Sequence, residues 1–314
     1  MNSFSQKKKV IVILGPTASG KSDLAVELAK EFNGEIISAD SRQVYRGMNL
    51  GTGKITEKEM RGVPHHLLDV ASPKSRFSAA RYKKLASAAI KKIRQKNKLP
   101  IICGGTGFYI DALTSNTNFP AVKPDYGLRA KLEKLTAKDL FKKLRKLDPR
   151  RAKNIDRHNR RRLVRALEIV LKTGRPVPPI VIPGLTRDPG LDSGSEAGMT
   201  NILFLGLRFP QEKLKQRIET RLQKRLRQGM LAEVKKLLTQ GVSWKKLESF
   251  GLEYRWLAYY LQKKISYDEM VTRLQKDIEH YAKRQMVWFK KNPKIIWIKD
   301  YQQTQKLIKR FLKE

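Results

Sequence analysis

The sequence predicts an α/β fold with a parallel β-sheet core and a helical insertion, and three observations support this. Short runs of apolar residues recur between turns that contain glycine. Segments with apolar residues at helical spacing follow these runs. The middle of the chain then loses the short runs and becomes charged and helix-patterned. Short apolar strands that alternate with helices are typical of a doubly wound sheet with helices on both faces.

The first predicted elements are a strand over Val10–Leu14 and the helix that follows it. The strand is a continuous apolar run that ends at Gly15 and Pro16, and the helical segment DLAVELAKEF spaces its apolar residues by about one turn. The same pattern predicts two more buried strands, at Ile36–Ile37 before Asp40 and at Pro100–Cys103 before Gly104 and Gly105.

The middle of the chain predicts a helical insertion from about Asn116 to Ile182. Within it, RRRLVRALEIVLKTG ends at Gly174, which is expected to cap the helix. Residues 183–201 collect Gly, Pro, Ser and Asp without periodicity, which predicts an exposed loop to which we assign no role. We therefore expect a first core part at 1–115, an insertion at 116–200 and a second core part at 201–314.

The last third predicts a return to the sheet. A strand is expected at Ile202–Leu207, followed by three amphipathic helices and a closing strand at Ile295–Ile298. The helical segments are QEKLKQRIETRLQKRLRQG, MLAEVKKLLTQG and YDEMVTRLQKDIEHYAKRQMVWFKK.

The charge of the chain indicates a polyanionic partner. Among 314 residues there are 67 Lys and Arg against 29 Asp and Glu, a net charge of +38, while a hydrophobic fraction of 40% is sufficient for a folded core. A generally Lys-rich composition would spread these charges evenly. Instead they cluster between Arg145 and Arg165, where ten basic residues face two aspartates. This density predicts a nucleic-acid surface on the insertion, with a solvated cationic helix as the alternative.

The cysteine and histidine content excludes several kinds of site. Cys103 is the only cysteine and there are four histidines, so neither a disulfide framework nor a Cys-rich zinc site can form, and a reducing cytoplasm is expected. His65 and His66 are expected to be structural or polar contacts. The N-terminal apolar run is too short and lacks the cleavage site of a signal peptide, and no stretch approaches the length of a membrane span.

GPTASGKS, at 15–22, matches the phosphate-loop pattern between a strand and a helix, so the core is expected to be phosphate-loop NTPase-like. Backbone N–H groups of such a loop curl around a diphosphate, Lys21 neutralises its oxygens and Ser22 can hold Mg²⁺. The residues of this expected site are Gly15, Pro16, Thr17, Ala18, Ser19, Gly20, Lys21 and Ser22.

A phosphate loop is typical of kinases and ATPases, which also need an acidic residue for the metal at a second strand end. After the strand at 101–103 comes Gly104, so this acid is absent there, although Asp40 could serve a metal in a small-molecule kinase. A diphosphate substrate other than ATP is therefore favoured. A non-catalytic RNA-binding protein that keeps the loop for its structure stays a third possibility.

Six motifs occur in order along the chain. Besides the phosphate loop, they are ISADSRQVYRGMNLGTGK at 37–54, PHHLLD at 64–69, FSAARY at 77–82, GGTGFYIDAL at 104–113 and AKRQMVWF at 282–289. Together they span nearly the whole chain, and in this order they make the sequence resemble the tRNA dimethylallyltransferases of bacterial type. The resemblance implies transfer of a dimethylallyl group from dimethylallyl diphosphate to an adenine beside the tRNA anticodon, with an insertion that grips the anticodon arm.

The resemblance also implies roles for single residues. Asp40 would be the general base toward the adenine amine, with turn capping as its alternative. Ser41, Arg42 and Gln43 would touch the flipped base, or else be surface turn residues. Thr106 would lie near the tRNA and the reaction, or else only shape a tight turn.

Two further groups of basic residues are assigned in the same way. Arg217 and Arg221 lie four apart on one predicted helix and would address diphosphate oxygens, with a solvated charged face as the alternative. The resemblance implies that the insertion contacts the anticodon arm through Arg161, Arg162, Leu163, Val164 and Arg165. We expect a monomer that needs Mg²⁺.

The chain departs from the family pattern in one place. Where the family commonly has Gly-Tyr followed by a basic residue, this chain reads Gly251, Leu252, Glu253, Tyr254 and Arg255, which puts a tRNA contact there in doubt. The zinc finger that eukaryotic relatives can add cannot be built with one cysteine, which favours the bacterial type.

Overall fold

The computed structural model describes residues 9–115, 119–178 and 201–314. These residues form two compact units, one within Met1–Asn116 and Pro183–Glu314 and one within Thr117–Ile182. The predicted boundaries near 115 and 200 stay predictions, and the loop predicted at 183–201 lies outside the described residues except for Asn201.

The larger unit is built on a parallel sheet, which confirms the predicted α/β class. Six strands occur in the described residues, in the spatial order β3-β2-β4-β1-β5-β6, and every neighbouring pair is parallel. They are β1 (Val10–Leu14), β2 (Gly34–Ser38), β3 (His65–His66), β4 (Leu99–Gly104), β5 (Ile202–Leu207) and β6 (Ile295–Ile298). All predicted strands are confirmed, whereas β3 was not predicted.

Both faces of the sheet are buried, as the continuous apolar runs require. In β1, Val10, Val12 and Leu14 join one hydrophobic cluster, while Ile11 and Ile13 join another. Successive side chains of a strand point to opposite faces, so each cluster lies on its own side of the sheet. This is the doubly wound arrangement.

The helices of the larger unit include six for which the sequence analysis made no prediction. The first half contains α1 (Lys21–Glu31), α2 (Glu57–Met60), α3 (Ala79–Gln95) and α4 (Gly107–Thr114). The last third contains α9 (Gln211–Arg227), α10 (Met230–Thr239), α11 (Trp244–Phe250), α12 (Leu252–Leu261), α13 (Tyr267–Phe289) and α14 (Tyr301–Lys313). Helix α1 confirms the helix predicted after the first strand, and α9, α10 and α13 confirm the three amphipathic segments. The additional helices are α2, α3, α4, α11, α12 and α14.

The smaller unit is helical, with a core of its own. Its helices are α5 (Tyr126–Leu132), α6 (Ala137–Leu147), α7 (Pro149–Lys153) and α8 (Arg160–Thr173). Gly174 ends α8 with φ 64°, and its N–H donates to the carbonyl of Val170, so the predicted cap is confirmed. Leu140, Leu144 and Leu167 are fully buried in the core of this unit.

Candidate active site

The phosphate loop lies at the carboxyl end of β1 and leads directly into α1. Gly20 has φ 79°, a left-handed conformation that glycine adopts without steric cost, and α1 starts at the next residue, Lys21. The Lys21 ammonium donates to the carbonyl of Pro16 at 3.2 Å, so the loop holds its own lysine. The helix N-terminus and this cation both favour an anion in the loop.

Helix α9 adds two arginines to this loop from about two hundred residues away in the sequence. Arg217 Nε donates to the carbonyl of Ala18 at 2.8 Å, and the Arg221 guanidinium donates to the hydroxyl of Thr17. Arg221 is half-buried, whereas Arg217 is exposed. The helical spacing of four therefore brings both side chains to the loop, as their predicted role requires.

The positive charges at the loop are close enough to disfavour one another. Burial lowers the pKa of Lys21, and Arg221 adds to this effect. Burial and the neighbouring Arg225 lower the pKa of Arg221 to about 9. Glu253 lies 4.0 Å from Arg225 and balances part of this charge. A bound anion would relieve the remaining repulsion, so the electrostatics favour a multiply charged ligand such as a diphosphate.

Asp40 lies just beyond the carboxyl end of β2, beside the loop that follows β4. Its Oδ1 accepts the backbone N–H groups of Arg42 at 2.7 Å and Gln43 at 3.2 Å, so Asp40 does cap a turn. Among the described residues no hydrogen bond reaches Oδ2, which leaves that oxygen available to a ligand. Turn capping and proton transfer are thus compatible, because they use different oxygens.

Thr106 is held against the Asp40 turn by two hydrogen bonds. Its hydroxyl accepts the N–H of Ser41 at 3.0 Å, and its own N–H donates to the carbonyl of Ala39 at 3.1 Å. Since β2 and β4 are parallel neighbours, their carboxyl ends bring these residues together. Thr106 therefore shapes the turn, and it lies next to Asp40.

The side chains of Arg42 and Gln43 are engaged inside the protein. Arg42 Nε donates to the carbonyl of Phe250 at 2.9 Å. Gln43 accepts from the Ser38 hydroxyl at 3.2 Å and donates to the carbonyl of Gly53 at 3.2 Å. A contact from Gln43 to a flipped base would have to displace these partners.

Sequence reasoning assigned no role to Gln285, although it lies in the AKRQMVWF motif. Its side chain is 5% exposed, and its amide bonds the backbone of Thr17 in the phosphate loop and of Gly105 in the loop after β4. Periodicity predicts that this position is buried. The two partners are far away in the sequence, so only the fold identifies them.

In the smaller unit, the predicted RNA-contacting residues of α8 divide into two groups. Arg161 and Arg162 are exposed, whereas Leu163 and Val164 are buried and pack in the core of the unit. Arg165 is half-buried and forms an ion pair with Glu168 at 2.5 Å. A side-chain contact to RNA is therefore open to the first two residues, and Leu163 and Val164 would need to rearrange.

The remaining candidates have structural contacts. His66 Nε2 lies 2.7 Å from the carboxylate of the buried Glu35, and His65 Nδ1 lies 2.8 Å from the carbonyl of Val63. The described residues contain no cluster of three His, Cys, Asp or Glu that would hold a metal. Tyr254, in the segment that departs from the family pattern, is buried and donates to Glu233 at 2.7 Å. These contacts inside the protein are sufficient to account for the positions of His65, His66 and Tyr254.

The donor set near the loop fits a magnesium ion that arrives with its diphosphate. Ser22 is half-buried at the start of α1, and oxygen ligands from hydroxyls and phosphates are what Mg²⁺ prefers. With no acidic cluster among the described residues, the ion would be held by Ser22 and by the substrate rather than by a protein cage.

No helix of the described chain is both long and apolar enough to cross a membrane.

Comparison with known proteins identifies relatives along nearly the whole chain. The model of the IPP transferase family matches residues 43–292. The chain is 39% identical over 302 residues to the tRNA dimethylallyltransferase of Pelotomaculum thermopropionicum, covering 95% of this chain and 93% of that protein. It is 40% identical over 307 residues to the tRNA dimethylallyltransferase of Acetivibrio thermocellus, covering 96% and 95%.

Solved structures agree with this similarity. A tRNA isopentenylpyrophosphate transferase from Bacillus halodurans is 34% identical with a TM-score of 0.71, covering 98% of this chain and 97% of that one. A eukaryotic dimethylallyltransferase captured acting on tRNA is 28% identical with a TM-score of 0.76, covering 96% of this chain and 77% of that one.

Proposed function

The chain belongs to the IPP transferase family, the tRNA dimethylallyltransferases, and we propose that it moves a dimethylallyl group from dimethylallyl diphosphate to N6 of the adenine 3′-adjacent to a tRNA anticodon, releasing diphosphate. One observation carries the proposal beyond the family. The cationic phosphate loop and the Asp40 turn lie at the same edge of the sheet, at the ends of β1 and β2 with β4 between them.

The diphosphate is bound by the loop and by α9. Backbone N–H groups of residues 20–22 at the start of α1 donate to its oxygens, and Lys21, Arg217 and Arg221 neutralise their charge. An allyl diphosphate reacts by loss of diphosphate from a carbon that becomes cationic, so charge grows on the leaving group. Cations fixed in place before the reaction stabilise that charge more than water does, since they need no reorganisation. A Mg²⁺ ion on Ser22 would add Lewis-acid stabilisation of the same oxygens.

The acceptor amine needs a base beside it. The lone pair of an exocyclic adenine amine is delocalised into the ring, which makes the amine a poor nucleophile. Asp40 accepts its proton through Oδ2, while Oδ1 keeps the turn in place. The N6–carbon bond forms as the carbon–oxygen bond to diphosphate breaks, and the proton leaves to Asp40.

The adenine has to leave the anticodon-loop stack to reach Asp40. Enzymes that modify a base extrude it into a pocket, and a loop tolerates this better than a duplex. The Ser41 backbone and the Thr106 hydroxyl border that position. The exposed arginines of α8 supply phosphate contacts on the smaller unit.

The direct test is incubation of the protein with an unmodified tRNA transcript, dimethylallyl diphosphate and Mg²⁺, followed by mass spectrometry of the nucleosides. We expect a dimethylallyl adenosine 3′ of the anticodon. Binding of dimethylallyl diphosphate and of ATP is measured alongside by calorimetry. No modified adenosine, together with binding of ATP alone, would refute the proposal and favour a kinase or ATPase.

Lys21→Ala tests the diphosphate end of the site. Because this charge acts on the diphosphate in both the ground state and the transition state, we expect weaker binding of dimethylallyl diphosphate and slower turnover. Lys30→Ala, an exposed lysine on the same helix, is the control and should match the wild type. An unchanged affinity in the Lys21 variant would show that the loop does not hold this ligand.

A further inference from the structure

Gln285 connects the two halves of the proposed site through both ends of its amide. It is buried on α13, where its Oε1 accepts the N–H of Thr17 at 2.8 Å and its Nε2 donates to the carbonyl of Gly105 at 2.8 Å. A buried amide is costly unless its polar atoms are hydrogen-bonded, and here both ends have backbone partners. The side chain is thus fixed in a single orientation.

The first contact acts on the phosphate loop. Because the N–H of Thr17 points to Gln285, it is turned away from any ligand in the loop. The Thr17 hydroxyl is bonded to Arg221 at the same time. Gln285 therefore helps to set the direction in which the loop presents its remaining amides.

The second contact acts on the loop after β4. The approach to Gly105 is so close that a Cβ there would lie 2.2 Å from Gln285 Nε2, so any other residue would displace this amide. The next residue is Thr106, which bonds the backbone on both sides of Asp40, at Ala39 and Ser41. A continuous chain of hydrogen bonds and short peptide links therefore runs from the phosphate loop through Gln285 to the Asp40 turn.

We infer that Gln285 is a positioning residue that fixes the phosphate loop relative to the Asp40 turn, so that the allyl carbon and the base face the same adenine amine. The inference rests on the proposed function. Misplacement by about 1 Å between reacting groups is enough to lower a rate by about 100-fold. A side chain that touches neither substrate can thus control turnover.

The principal variant is Gln285→Met, which has similar length and volume but neither bonds the N–H of Thr17 nor donates to Gly105. We expect kcat to fall about tenfold or more and the KM for dimethylallyl diphosphate to rise severalfold, since both ends are released. Gln275→Met is the matched control, because the side chain of this half-buried glutamine on the same helix donates to Glu279, four residues later, and not to the phosphate loop or the loop after β4. It should keep the wild-type kcat and KM.

A double-mutant cycle with Thr106→Val separates positioning from a general loss of packing. Valine keeps the shape of threonine but cannot accept the N–H of Ser41. If Gln285 acts on Asp40 through this loop, the two kcat losses are not independent, and the double variant falls about as far as the worse single one. The KM for dimethylallyl diphosphate should rise with Gln285→Met and stay unchanged with Thr106→Val.

Three results would decide against the inference: kcat and KM of Gln285→Met within about twofold of wild type, kcat losses that multiply in the double variant, or equal losses in the Gln275→Met control. If Gln285→Met does not fold, the same cycle is run with Gln285→Asn, which stays neutral and polar but is too short to bond both the N–H of Thr17 and the carbonyl of Gly105. An inactive wild type would instead overturn the proposed function, and the inference with it.

Discussion

The proposed proton transfer depends on the side chain of Asp40. Because Asp40 caps its turn through one oxygen and would accept the proton through the other, the two roles can be tested separately. Asp40→Asn keeps an oxygen that can accept from Arg42 and Gln43, so the turn should survive while the base is lost. We expect kcat to fall by about 10²–10⁴-fold, the usual contribution of a general base. Single-turnover transfer to tRNA measures this loss.

The control is the binding of each substrate, which should stay within about threefold of wild type if only the base is lost. Asp40→Ala removes the turn contacts as well and should also lower the melting temperature. Wild-type turnover in Asp40→Asn would exclude this residue as the base.

Asp111 predicts that the stability of the protein depends on pH, because its carboxylate is buried and burial disfavours the charged form. Burial raises the pKa of Asp111 to about 6, although the hydrogen bond from Trp288, at 2.7 Å, opposes the shift. Between pH 4 and pH 6 the unfolded chain releases a proton that the folded chain keeps. The free energy of unfolding therefore falls as pH rises through this range.

Asp111→Asn should remove this pH dependence, since the amide oxygen still accepts from Trp288 and carries no charge. Relative to wild type, we expect the variant to gain stability between pH 4 and pH 8 by up to about 3 kcal/mol, from about 1.4 kcal/mol per pKa unit. Urea unfolding at both pH values measures the difference. A constant difference between the two proteins would contradict the raised pKa.

At the level of single residues, the sequence predicted which positions gather at the sheet edge but not how their side chains are used. The phosphate-loop spacing and the strand ends were sufficient to bring Lys21, Asp40 and Thr106 to one edge. Whether a polar side chain faces a ligand or another part of the protein depends on partners that are distant in sequence. Gln43 and Gln285 could therefore not be interpreted from their motifs alone.

Helix α8 shows how a basic segment divides between structure and binding. Glu168 is fully buried, where burial opposes its ionisation, but hydrogen bonds from Arg129 and Arg165 lower the pKa of Glu168 to about 2. The ion pair of Arg165 with Glu168 thus stabilises the smaller unit. Arg161 and Arg162 are exposed, so the proposed contact of this helix with RNA depends on them.

Replacing Arg161 and Arg162 together by Ala should weaken tRNA binding and reduce its salt dependence. The slope of log affinity against log salt should become shallower by about 0.7–0.9 for each lost phosphate contact. Affinity for dimethylallyl diphosphate should stay unchanged. Binding titrations over a range of salt concentrations measure both quantities.

The control for net charge removes two exposed lysines from α6 of the same unit, Lys142→Ala with Lys143→Ala. If this pair reduces the slope equally, the effect belongs to overall charge and not to the face of α8. Arg165→Ala should differ from both, because its main effect is lower stability of the unit.

At the level of elements, the strands were predictable because continuous apolar runs leave little choice in a sheet buried on both faces. Helix α3 was missed although its buried residues have helical spacing, whereas other missed elements have weak signals. Strand β3 has two residues, too few for any periodicity. Helices α11 and α12 are short, aromatic-rich segments that meet at Gly251, whose φ of 73° breaks the helical path. A helix interrupted in this way has no uniform pattern to detect.

At the level of the whole molecule, the described residues form three hydrophobic clusters, two in the larger unit and one in the smaller unit, and this has a thermodynamic consequence. Buried residues of the larger unit pack on the two faces of the sheet, while the smaller unit buries its own leucines around α8. Units with separate cores need not unfold in one transition. We therefore expect two unfolding transitions in scanning calorimetry. Two different perturbations should each shift only one of these transitions.

The first perturbation is inorganic diphosphate with Mg²⁺, which should stabilise only the unit that contains the phosphate loop. At a concentration of about 100 times Kd, the gain in unfolding free energy is about 2.7 kcal/mol, which raises the temperature of the corresponding transition by several degrees.

The second perturbation is Glu168→Gln, which leaves Arg129 without its buried counter-ion. Breaking a buried ion pair costs about 3–5 kcal/mol, so the transition of the smaller unit should fall by about 10 °C or more. Lys21→Ala should reduce the response to diphosphate and leave the smaller unit unaffected. A single transition that shifts with both perturbations would show that the units unfold together. A diphosphate response that Lys21→Ala leaves unchanged would locate the anion outside the loop.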